Sequence, residues 1–104
     1  MSGTGTETTR PAEEKPLLLF FSSARSGRCR RTEGFLAQVL QRRQNHETFR
    51  VHHIPCEERP DLAERFRVGE VPTLLVVDRR AVRGRLATPR GCEDIQAFLA
   101  PWLH

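Results

Sequence analysis

The feature that most constrains the fold is an unbroken apolar run, Leu17-Leu18-Leu19-Phe20-Phe21, that stops at a polar turn and is followed by a cysteine, Cys29. A continuous run of that length is a buried strand, Leu17 to Ser22, covered on both faces and therefore central in its sheet. Pro16 opens it, Gly27 breaks the pattern, and a helical period begins at once. Phe35, Leu36, Val39 and Leu40 recur at i, i+1, i+4 and i+5, with Arg30, Arg31, Gln41 and Arg42 off the stripe. This predicts a helix from Gly27 to about Arg43 with one buried face, and it puts Cys29 in the first helical turn.

The rest of the chain reads as a scaffold for that turn. Gln44 to Glu47 is a polar turn, and Thr48 to Ile54 is a strand in which Phe49, Val51 and His53 oppose Arg50, His52 and Ile54. The adjacent His52 and His53 point to opposite faces and cannot chelate one metal together. Pro60 stands at a first helical position, and Leu62, Ala63 and Phe66 mark a short helix ending near Gly69. Val71 to Val77 is a strand with a proline at its start, where the missing donor does least harm. After a tight turn over Asp78 to Ala81, Val82 to Ala87 is an edge strand with Arg83 and Arg85 directed outward. Ile95, Phe98, Leu99 and Trp102 give the last helix its stripe, with Glu93 and Asp94 favourably placed in its first turn and Pro101 fraying its end.

Composition narrows the function. The 104 residues suffice for one domain with one core. Met1 to Lys15 is poor in apolar residues and is expected to be a flexible tail, leaving a domain over 16–104. The formal charge is +4, almost all of the base being Arg scattered among acids as on a solvated surface. There is no Tyr, and the Phe residues fall at core positions, so the stacking platform of a single-strand nucleic-acid groove is missing and no nucleic-acid partner is expected. No apolar run approaches the ~20 residues of a membrane helix. Three cysteines without a secretory leader point to a reducing compartment, and the cytoplasm is the expected location.

Three stretches together resemble the thioredoxin family. Phe21-Ser22-Ser23-Ala24-Arg25-Ser26-Gly27-Arg28-Cys29 is similar to the family's strand end and Cys-x-x-Cys helix start. Val71-Pro72-Thr73 looks like its cis-proline signature, and Glu57 to Phe66 looks like its connector helix. The resemblance covers about Leu17 to Leu103 and implies an α/β, thioredoxin-like fold: a four-stranded mixed sheet (β-α-β, short helix, β-β-α) flanked by helices. The family's N-terminal strand and helix are expected to be absent or replaced by the tail.

The resemblance also exposes departures. The family's attacking cysteine is Ser26 here, and only the resolving position keeps its sulfur, as Cys29. Phe20 stands where the family has a buried carboxylate, and Ser22 where it has a tryptophan. A serine hydroxyl cannot supply the thiolate, so Ser26 is expected to cap the helix. Cys29 lies a turn deeper, as a buried small hydrophobe or a redox sulfur. Parallel pairing of the first two strands brings Cys56 to the edge where Cys29 starts its helix. Neighbouring strands are ~4.8 Å apart, and a disulfide spans Cα atoms ~4.4 to 6.8 Å apart, so Cys29 and Cys56 are candidates for a relocated redox pair. Cys92, two strands away, is expected to pair with nothing.

Three functions follow. One is a protein of cell redox homeostasis that acts, at most, through Cys29 alone or through Cys29 and Cys56. Another is a non-catalytic module that holds a protein or extended peptide by strand-like pairing at Val71, beside Pro72 and Thr88, with Gly27 and Arg28 bordering the groove. The last is an anionic or glutathione-like ligand held by the helix N-terminus and Arg28. None requires a metal or cofactor.

Overall fold

The computed structural model describes residues 15–41 and 48–103. The tail expected over Met1 to Lys15 lies, apart from Lys15, outside the described residues, as do the turn expected at 44–47 and the far end of the first helix. The elements are β1 (Leu17–Ser22), α1 (Gly27–Gln41), β2 (Arg50–Pro55), α2 (Pro60–Arg65), β3 (Thr73–Asp78), β4 (Ala81–Ala87) and α3 (Cys92–Leu99). They form one mixed sheet in the order β2-β1-β3-β4, so β1 is interior, as its unbroken hydrophobicity requires. β2 runs parallel to β1, with Leu17 opposite Arg50 and Ser22 opposite Pro55, while β3 runs antiparallel, with Phe21 opposite Thr73.

Alternation along β1 divides the core into two layers. Leu18 and Phe20 face Leu36, Val39 and Leu40 of α1 and Ile95 and Leu99 of α3, joined by Phe49, Leu74 and Val76. Leu19 and Phe21 face the other way, with Ile54 and Leu75, onto Leu62 and Phe66 at α2. Phe20 and His53, opposite one another across β1 and β2, meet edge to face with centroids 5.3 Å apart. The same register sets His52 beside Leu19 on the other face, so the two histidines are divided by the sheet.

Three details depart from the sequence reading. The short helix ends at Arg65 rather than near Gly69, and the chain reverses through Arg67, whose φ of 57° is left-handed. The Arg85 guanidinium steadies that reversal by donating to the Phe66 and Arg67 carbonyls, at 2.5 and 3.2 Å, instead of standing free in solvent. Helices end favourably with a left-handed residue when their last carbonyls find donors, which is why Arg67 serves without being glycine. β4 does not alternate evenly either: Val76 faces Gly84 but Val77 faces Val82, so Arg83 is the extra residue of a bulge. Beyond the bulge, Gly84 admits the Phe98 ring of α3, whose Cε1 lies 2.8 Å from where a Cβ would stand.

Candidate functional site

At the carboxyl end of β1 the chain turns through Ser23, Ala24 and Arg25 into α1. The Ser26 amide donates to the Ser23 carbonyl at 3.1 Å, and the Arg25 amide to the Ser23 hydroxyl at 3.2 Å. The Ser26 hydroxyl in turn accepts the Cys29 amide at 3.2 Å, satisfying one of the donors every helix start leaves free. Ser26 is half-buried, whereas Gly27 and Arg28 are exposed.

Cys29 is only 3 % exposed, and its sulfur accepts the Ser23 amide at 3.4 Å. The other end of that same peptide group, the Ser22 carbonyl, accepts the Cys56 amide at 2.8 Å. One peptide unit, Ser22–Ser23, thus touches both cysteines, and the parallel register that sets Ser22 opposite Pro55 is the cause. All three cysteines are free thiols. Cys56 is half-buried, and burial, then the Glu57 carboxylate, then Cys29 push its thiol above the ordinary value. Glu57 is itself held low, chiefly because the Ser23 hydroxyl donates to its carboxylate. Phe20 leaves no buried carboxylate beneath α1: the position is 1 % exposed and wholly apolar.

On the other side of β1, continuing the antiparallel register by one step sets Pro72 opposite Ser22. The Val71–Pro72 peptide is cis. The Pro72 carbonyl accepts the Thr88 amide at 2.7 Å, and the Thr73 hydroxyl donates to the Glu70 carbonyl at 2.6 Å. No hydrogen bond to the Val71 backbone is formed among the described residues. Thr88 holds a φ of 46°, costly for a β-branched residue.

The structure therefore brings Cys29 and Cys56 to one peptide, with Ser26 bonded to the Cys29 amide, and joins Pro72 to Thr88 beside it. Cys92 stands apart, its thiol 3.0 Å from the Gln38 side-chain oxygen. Among the described residues no three His, Cys, Asp or Glu side chains converge on a possible metal position. No helix there is long and apolar enough to cross a membrane.

Sequence reasoning missed Ser23 and Glu57, and missed a cleft of about 340 Å³ lined by Arg28, Arg31, Thr32, Phe35, Thr88, Pro89 and Arg90. Spacing held a signal for half of that cleft, because Arg28, Arg31, Thr32 and Phe35 share one helix face at i, i+3, i+4 and i+7.

Comparison with known proteins agrees with this geometry. The family model described as Thioredoxin matches residues 7–101. No curated protein sequence matches significantly. Among solved structures, the chain is similar to Trxlp from Edwardsiella tarda, with 19 % identity, TM-score 0.75 and 92 % of each chain covered. It is similar to the germline-specific thioredoxin Deadhead of Drosophila melanogaster, with 20 % identity, TM-score 0.74 and coverage of 88 % of this chain and 85 % of that one. A mutant thioredoxin from Halobacterium salinarum superposes at TM-score 0.75 with 16 % identity, over 89 % of this chain and 79 % of its own. At these identities the likeness is one of fold.

Proposed function

Because the chain belongs to the thioredoxin family, we propose that it is a cytoplasmic protein of cell redox homeostasis in which Cys29 and Cys56 exchange electrons with a protein disulfide. The reading rests on one observation, the single Ser22–Ser23 peptide that contacts both cysteines. Ser26 contributes a cap and no chemistry.

The roles follow from exposure. Cys56, the more accessible sulfur, attacks a partner disulfide as thiolate, forming a mixed disulfide and releasing one partner thiolate. Cys29 then attacks the Cys56 sulfur, giving a Cys29–Cys56 disulfide and releasing the second partner thiolate. Two electrons pass to the partner, and the two protons lost from Cys56 and Cys29 go to solvent or to the released thiolates. The raised Cys56 thiol makes this exchange slow at neutral pH and faster as pH rises, because only the thiolate attacks.

A reductase assay on a protein disulfide such as insulin, with a dithiol recycling the protein, tests the reading. Turnover is expected to be slow in the wild type, lost in both Cys29→Ser and Cys56→Ser, and retained in Cys92→Ser. Absence of turnover in the wild type, or its survival in Cys56→Ser, contradicts it. That result favours the second reading, a partner-binding module, for which the unengaged Val71 backbone is the supporting observation: an extended peptide pairs there through main-chain hydrogen bonds without any sulfur.

A further inference from the structure

The cleft between α1 and the segment after β4 is built independently of the thiols. Arg28 and Arg31 line it from one face of α1 and Arg90 from the loop that leads to α3, so three arginines from two distant parts of the chain border one space of about 340 Å³. None of the three is paired with a carboxylate among the described residues. Of the acids near them in sequence, Glu33 lies 3.7 Å from His53 Nδ1, and Asp94 accepts the Arg90 backbone amide at 2.9 Å. No Asp or Glu lines the cleft, and Phe35 and Pro89 supply apolar wall.

We propose that this cleft binds a phosphate monoester. Three guanidinium forks present more donors than a carboxylate's two oxygens can take, whereas a phosphoryl group offers three strong acceptor oxygens and close to two negative charges. The Phe35 and Pro89 wall accommodates the organic part of the ester. The site shares only Arg28 with the anion position expected at the start of α1, where the Ser26 hydroxyl already accepts the Cys29 amide. It stands or falls separately from the redox reading.

Amide chemical shifts of the full chain, titrated at low ionic strength with inorganic phosphate, O-phosphoserine and a phosphoserine hexapeptide, test the proposal. Saturable shifts confined to residues 28–35 and 88–90 are expected. Arg31→Gln and Arg90→Gln should each weaken binding about tenfold, the effect of losing one charged hydrogen-bond donor. Arg65→Gln, on α2 across the sheet, should bind as the wild type does. Tighter binding of the peptide assigns the ester to a protein, and equal or tighter binding of the small probes assigns it to a metabolite. The proposal is overturned if no probe saturates, or if Arg65→Gln weakens binding as much as Arg31→Gln.

Discussion

Cys56 and Glu57 are neighbours whose ionised forms carry like charge, and at the residue scale this contact governs how readily the Cys56 thiolate forms. The carboxylate is kept ionised by the Ser23 hydroxyl and lies beside a thiol that is already penalised by burial. A negative charge next to a thiol disfavours the thiolate, so removing that charge lowers the thiol's pKa and enlarges the thiolate fraction at any pH below it. Glu57→Gln is therefore expected to speed alkylation of Cys56 by about two- to fivefold between pH 7 and 8, the range open to an exposed charge in water. Rates followed by mass spectrometry against pH check this, and an unchanged or slower rate contradicts it. Ser26, by contrast, turns its oxygen to the Cys29 amide. The serine was legible from its motif position, whereas the Ser23–Glu57 contact was not, because 34 residues and the β1–β2 pairing separate its partners.

At the scale of elements, the β3–β4 hairpin carries strain that sequence patterning cannot show. Asp78 pairs with Ala81, leaving Arg79 and Arg80 as a two-residue loop with φ of 53° and 68°. Both residues are left-handed, the arrangement that normally selects Asn-Gly. The double substitution Arg79→Asn with Arg80→Gly is expected to stabilise the protein by about 1 kcal/mol, read as a higher urea midpoint with an unchanged slope. A lower midpoint would contradict the assignment of strain.

The elements themselves were readable because their signals are local. The β1 run, the stripe of α1, Pro60 at the start of α2 and the proline before β3 each declare themselves within a few residues. The bulge at Arg83 and the helix stop at Arg67 did not, since each depends on a distant partner: Phe98 lies over Gly84, and Arg85 reaches the Phe66 carbonyl. The arginines of the cleft were hidden for a related reason. Arg31 and Arg90 look like ordinary solvated charges until the fold sets them around one space.

For the whole molecule, the sheet order determines what is possible. With β1 between β2 and β3, Ser22 is flanked by Pro55 on one side and, one register step beyond Thr73, by Pro72 on the other. Cys29, Cys56 and the Val71–Pro72 peptide all lie at that one end of β1, and the arginine cleft borders it through Arg28 and Thr88. In the proposed redox function, Cys56, just past the end of β2, stands in for the sulfur missing at Ser26. The most direct measurement is mild oxidation of the native protein, followed by titration of remaining thiols and digestion to map any bridge. The account predicts one free thiol, Cys92, and a peptide pair joined through Cys29 and Cys56; three free thiols, or a bridge that includes Cys92, would contradict it.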